Sequence, residues 1–212
     1  MKICNRLLIT ILFLASFSVN AKSTSILVFG DSLSAAYNIP SDQGWVTLLE
    51  QQLNRPLSSN KTELNKVTLV NASISGETTS GGLVRFQTQI QKTKPSIVIL
   101  ELGANDGLRG TNLTIIKKNL KAMINISQKM NAKVVLAGIK IPPNYGRTYR
   151  KDFEQIFIEL AELNNVILIP FLLENVALNA ALMQSDGLHP NQQGQKIIAS
   201  TVSKYLLPLL YP

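Results

Sequence analysis

Five short runs dominated by Val, Ile and Leu recur along the chain, at 25–30, 66–72, 96–102, 133–139 and 166–170. They are near-continuous rather than alternating, so each predicts a strand buried on both faces, as in a parallel sheet covered by helices. Between them apolar residues fall at helical spacing. Trp45, Leu48, Leu49 and Leu53 share one face, as do Leu113, Ile116, Leu120, Met123 and Ile124. Phe153, Ile156, Phe157 and Leu160 form a third stripe, and Ile198, Val202, Tyr205 and Leu206 a fourth. Strand and helix in alternation predict a doubly wound α/β domain with right-handed crossovers. Ligands of such sheets bind beyond the carboxyl ends of the strands, so a polar motif that follows a strand carries extra weight.

The start of the chain breaks this pattern. Lys2 and Arg6 precede an apolar stretch over 7–17, and Val19-Asn20-Ala21 then offers small residues to a signal peptidase. A charged start, a short apolar run and a small exit predict a secretory signal over 1–21, leaving 22–212 as one mature domain. The run is shorter than the ~20 apolar residues that span a bilayer. The expected location is the periplasm, or the medium where there is no outer membrane. Cys4 is the only cysteine and lies inside the signal, so the mature chain carries no disulfide, no cysteine nucleophile and no cysteine metal site.

Composition narrows the choice further. The hydrophobic fraction of 45% suits a packed domain rather than a disordered chain. The net charge of +8 attracts anions, but no Lys/Arg block stands out, which fits lysines scattered over a solvated surface. Nucleic-acid binding lacks a recognised module or a clustered aromatic-basic stretch. A single histidine without mature cysteine argues against metal catalysis, and no phosphate-binding glycine fingerprint is present. No cofactor is expected.

Four polar motifs remain. The first run ends in Gly30-Asp31-Ser32-Leu33-Ser34, which places Ser32 at the sheet edge as a nucleophile or, equally, as a helix N-cap. Asp186-Gly187-Leu188-His189 carries the only histidine of the chain. An aspartate three residues before it, on a loop or in the first turn of the last helix, can accept from Nδ1 and fix the tautomer in which Nε2 takes a serine proton. Asn71-Ala72-Ser73-Ile74-Ser75-Gly76 follows the second run and Gly103-Ala104-Asn105-Asp106-Gly107 the third. Each alone reads as turn chemistry. Together, the N–H groups of Ser32 and Gly76 and the amide of Asn105 make a three-donor oxyanion hole. No Gly-x-Ser-x-Gly elbow occurs, which argues against the α/β-hydrolase arrangement.

On Ser32, Gly76, Asn105 and His189, in that order and with Asp186 completing Asp-x-x-His, the chain resembles the SGNH (GDSL) hydrolase family over essentially the whole mature sequence. The stretches 71–76, 101–110 and Pro143-Asn144-Tyr145-Gly146-Arg147 are similar to a subgroup within it, the bacterial periplasmic multifunctional acyl-CoA thioesterase, lysophospholipase and arylesterase group. The resemblance implies a three-layer α/β/α, flavodoxin-like sheet of five parallel strands. It also implies hydrolysis of acyl thioesters, lysophospholipids and aryl or short-to-long-chain esters through a Ser-His-Asp triad and an acyl-enzyme. The expected agent is a monomer in transient contact with membrane lipids. Loops 107–111 and 141–147 follow the third and fourth runs and are expected to gate an acyl groove, with Leu108, Pro142, Pro143 and Tyr145 as its wall and Arg109 and Arg147 toward anionic groups. Two alternatives stay open: a carbohydrate O-deacetylase of the same family, and a non-catalytic periplasmic binding protein on the same scaffold.

Overall fold

The computed structural model describes residues 23–55 and 66–211, so the signal expected over 1–21 lies outside the described residues. Five strands, β1 (Thr24–Gly30), β2 (Val67–Asn71), β3 (Ile97–Glu101), β4 (Lys133–Ala137) and β5 (Ile167–Ile169), pair in the order β2-β1-β3-β4-β5. All four pairings are parallel. Each strand lies within two residues of the run that predicted it, the usual uncertainty of an element's ends. The order reverses between β1 and β3, so the carboxyl ends of these two strands flank the crevice where doubly wound sheets hold their ligands.

Successive side chains of a strand point to opposite faces, and here both faces are covered. Ile26 and Val28 of β1 and Ile97 and Ile99 of β3 enter one core. Helices α1 (Trp45–Leu53) and α6 (Gln192–Leu210) close it with Trp45, Leu49, Ile198 and Val202. Leu27, Phe29, Val98 and Leu100 enter the other core. That face is covered by α2 (Thr79–Thr93), α4 (Leu113–Lys129) and α5 (Arg147–Asn164). A short helix, α3 (Ala104–Leu108), follows β3 directly. This is why the sequence shows unbroken apolar runs in the central strands. The edge strand β2 leaves Thr68 exposed.

Helix α2 has no counterpart among the four stripes read from the sequence. Its buried positions are Thr79, Gly82, Phe86 and Ile90, a face half made of small residues, so the apolar signal is thin. Phe86 meets Phe29 edge to face, with ring centroids 4.8 Å apart, and a single aromatic supplies much of the contact that seats the helix.

Candidate active site

β1 ends at Gly30, in register with Glu101, and the chain then turns through 31–38 without forming a helix, so Ser32 caps none. A Cβ at Gly30 would stand 2.4 Å from Glu101 Oε2 and 2.8 Å from the Glu101 carbonyl oxygen. Glycine is required because the turn lies directly on the end of β3. Behind the turn, Asp31 is fully buried; its Oδ1 accepts the Leu33 N–H at 3.0 Å and its Oδ2 the Asn105 amide at 3.1 Å. The indole of Trp45 donates to the Leu33 carbonyl at 3.1 Å. These bonds leave Ser32 half-buried, with its side chain at the wall of an open cleft.

Asp186 and His189 come from the loop ahead of α6, not from its first turn. His189 Nε2 lies 2.8 Å from Ser32 Oγ, across 157 positions of sequence, and His189 Nδ1 lies 2.7 Å from Asp186 Oδ2. The other oxygen of Asp186 accepts the N–H groups of Leu188 and His189 at 2.9 and 3.0 Å. Burial works to raise the Asp186 pKa, but the backbone N–H and ring of His189 and the N–H of Leu188 outweigh it and hold the carboxyl down at about 2. Tyr37 lies against the imidazole with ring centroids 4.4 Å apart. Gln184 ties the loop down: its N–H donates to the His189 carbonyl, and its amide to the carbonyls of Tyr37 and Pro190.

Gly76 and Asn105 arrive at the same edge. Gly76 has φ +81°, a left-handed backbone, and nothing lies within 4 Å of where its Cβ would be, so conformation rather than space selects glycine there. The backbone N–H groups of Ser32 and Gly76 make no hydrogen bond within the described residues. Asn105 belongs to α3, where a loop had been expected from 107 onward. Its amide donates to Asp31 Oδ2 at 3.1 Å and to the Glu77 carbonyl at 3.0 Å, so both protons are engaged and the group is rigidly aimed. Next to it Asp106 accepts the N–H and the hydroxyl of Thr79, both at 2.8 Å, which locks α3 to the start of α2.

The cleft beside Ser32 has a volume of about 480 Å³ and a mostly apolar wall that includes Leu108, Ile139, Ile141, Pro142, Pro143 and Leu178. Of the residues expected as its wall, Leu108, Pro142 and Pro143 line the cleft. Tyr145 and Arg109 do not. The Tyr145 hydroxyl donates to the Leu108 carbonyl at 2.8 Å, so it braces the wall from behind. Arg109 turns toward the Gly76 carbonyl, 3.4 Å away. Arg147 lines a separate shallow depression on α5 with Arg150 and Lys151.

Three residues of the site were not singled out in the sequence: Tyr37, Asp31 and Glu101. Asp31 sits inside the serine motif, so its position was a signal. Glu101 interrupts the apolar run 96–102, and a charge there is the anomaly that marks it. Burial drives the Asp31 pKa up to about 6, against the bonds from Leu33 and Asn105 that favour the charged form. Burial likewise pushes Glu101 well above the carboxylate range, with the neighbouring Asp31 adding to it.

A hydroxyl, an imidazole and a carboxylate in series, beside unpaired N–H donors and an apolar cleft, can carry out nucleophilic acyl transfer. The comparisons agree with that chemistry. The GDSL-like lipase/acylhydrolase family model matches residues 28–197. An arylesterase of Vibrio mimicus is 41% identical over 95% of this chain and 98% of its own. The thioesterase 1/protease 1/lysophospholipase L1 of Escherichia coli K12 is 38% identical over 94% of this chain and 90% of its own. The crystal structure of the psychrotrophic esterase EstA from Pseudoalteromonas, inhibited by monoethylphosphonate, superposes with a TM-score of 0.81 at 39% identity, covering 90% of this chain and all of that one.

Proposed function

The chain belongs to the GDSL-like lipase/acylhydrolase family, and we propose that it hydrolyses acyl esters and thioesters, lysophospholipids among them, with Ser32 as nucleophile and His189 as general base. The observation that carries this reading is the unbroken relay Ser32 Oγ–His189–Asp186, at 2.8 and 2.7 Å. His189 takes the Ser32 proton as Oγ attacks the acyl carbonyl. The N–H groups of Ser32 and Gly76, free among the described residues, hold the oxyanion, and the Asn105 amide joins them by turning one proton from the Glu77 carbonyl to the substrate oxygen while Asp31 keeps the other. His189 then protonates the departing alcohol or thiol, and water repeats the sequence on the acyl-enzyme. Asp186 keeps the imidazole in the working tautomer. The low pKa of Asp186 supports this role, since an ionised partner stabilises the imidazolium that forms.

The apolar cleft supports a fatty acyl chain over an acetylated sugar, whose hydroxyls would find few partners there. The names of the relatives, arylesterase and thioesterase/lysophospholipase, support the same substrate range. That a similar esterase is inhibited by a phosphonate supports a serine that adds to tetrahedral centres. The relay is complete within one chain, which supports a working monomer. Leu178 and Leu188, exposed at the cleft, support transient contact with lipid. Export to the periplasm rests on Lys2, Arg6 and the apolar stretch after them. No helix among the described residues is long and apolar enough to cross a membrane.

The test is turnover of p-nitrophenyl esters from acetyl to palmitoyl by wild type and Ser32→Ala. The expected result is turnover that extends to medium and long chains and disappears in the variant. Turnover that survives Ser32→Ala would remove the nucleophile, and turnover of acetyl alone would move the substrate to sugar esters.

A further inference from the structure

We propose that Glu101, as an uncharged carboxylic acid, is a positioning residue that clamps the turn carrying the nucleophile; this rests on the reading of Ser32 given above. One oxygen of Glu101, Oε2, accepts from both sides of Ser32: from the Asp31 N–H at 3.1 Å and from the Ser34 hydroxyl at 2.7 Å. The other, Oε1, is buried and has no partner among the described residues. The side chain is fully buried, and no cation pairs with it among the described residues.

That division of labour is the signature of an acid rather than a carboxylate. A carboxylate has two equivalent oxygens, and burying one of them bare carries a heavy desolvation cost. A carboxylic acid has one good acceptor, the carbonyl oxygen, and here both donors converge on a single oxygen. Its hydroxyl then sits at Oε1, where an unpaired neutral O–H costs far less than an unpaired anionic oxygen. The charged and titratable groups around it point the same way. Asp31 faces Glu101 from the β1 turn, and Asp106 and His189 act on Asp31 from α3 and the loop before α6. With Asp31 ionised, a second negative charge beside it would be repelled. At Gly30 no Cβ has room beside Oε2, so the turn lies close against this acceptor.

The experiment compares wild type with Glu101→Gln, Glu101→Ala and Ser34→Ala, with Ser32→Ala as control. It measures kcat and KM on p-nitrophenyl butyrate at pH 8, the thermal midpoint, and the infrared carbonyl band of a protonated carboxyl. Gln reproduces the acceptor without the charge, so Glu101→Gln is expected to keep kcat within about threefold, as a neutral isostere should. Glu101→Ala is expected to lose kcat on the order of 100-fold with KM little changed, the usual result of a nucleophile out of place by about 1 Å. The infrared band is expected in wild type at pH 8, where Asp31 has ionised, and is expected to vanish in Glu101→Gln. Should the Ala variant not fold, Ser34→Ala removes one of the two donors and is expected to lower kcat roughly tenfold, the effect of one hydrogen bond. A folded Glu101→Gln as slow as Glu101→Ala, or no such band in wild type, overturns the uncharged clamp. Lowered thermal midpoints with kcat unchanged in every Glu101 and Ser34 variant reduce Glu101 to a structural residue and also overturn it. Turnover retained by Ser32→Ala would instead strike the nucleophile reading, and the control separates the two failures.

Discussion

Asn105 gives one amide proton to the buried carboxyl of Asp31, 3.1 Å away, so a donor of the proposed oxyanion hole is aimed by the residue that immediately precedes the proposed nucleophile. Asn105→Ala should lose roughly 10²–10³ in kcat, the usual worth of one oxyanion donor. Asp31→Ala should lose less, about 10-fold to 100-fold, because the amide survives but its aim does not. Steady-state hydrolysis of p-nitrophenyl butyrate measures both, and equal losses would mean that Asp31 does more than orient.

Asp186 meets His189 at 2.7 Å and accepts two backbone N–H groups besides. Asp186→Ala should therefore lower kcat on the order of 10³–10⁴. Since the Asp186 carboxyl is held down at about 2, it stays ionised through mildly acid solution. A fall of kcat/KM between pH 7 and pH 4 therefore belongs to groups other than Asp186: to the base, or to Asp31 behind the Asn105 donor. Profiles of kcat/KM from pH 3.5 to 9 check this, and a profile flat down to pH 4 would remove His189 from the role of base.

The two perturbed aspartates act on stability in opposite directions. Asp186 lies below its ordinary value of 3.8, so its contribution is present above about pH 4 and is lost as the pH falls toward 2. Asp31 lies above 3.8, at about 6, so its contribution is present below about pH 4 and is lost as the pH rises through 6. The stability of wild type minus that of Asp31→Ala should accordingly fall by roughly 2 kcal/mol between pH 4 and pH 8. Urea denaturation at the two pH values measures it, and a difference that grows with pH would mean that the burial of Asp31 is offset by its donors.

Leu178 lines the cleft with 97% of its surface open and a left-handed backbone, φ 70°. An exposed leucine held in that conformation is available to an acyl chain at no cost in unpacking. Leu178→Ser should lower kcat/KM for octanoyl and longer esters by about threefold to tenfold, as the loss of one or two methylene contacts would, and leave acetyl esters unchanged. A uniform loss over all chain lengths would mean that the side chain supports the loop instead.

Phe86 is fully buried and seats α2 against Phe29. Phe86→Ala should destabilise the fold by about 3–5 kcal/mol, seen as a lower urea midpoint, with kcat per folded molecule little changed.

The sequence by itself determined the frame of this protein and the identity of its chemistry. Val98, Ile99 and Leu100 in succession cannot have a wet face, so β3 had to be a central strand under helices on both sides. Ser32, Gly76 and Asn105 were legible because each follows an apolar run, His189 because it is the only histidine of the chain, and all four because their residue types are those that acyl transfer needs. Asp186 was legible because its hydrogen bonds to His189 are local, three residues apart. Helix α2 was not, since Gly82 and Thr79 bury a face without an apolar pattern. Tertiary structure alone decided what lies between distant segments. It put the imidazole 2.8 Å from a hydroxyl 157 positions away, turned Tyr145 from the cleft to the back of its wall, and set Glu101 beneath the turn that carries Ser32. Periodicity along a chain reports which side of an element is dry. The meeting of two carboxyl ends at a strand-order reversal is a property of the sheet, and burial there gives Asp31 and Glu101 chemistry that no local pattern encodes.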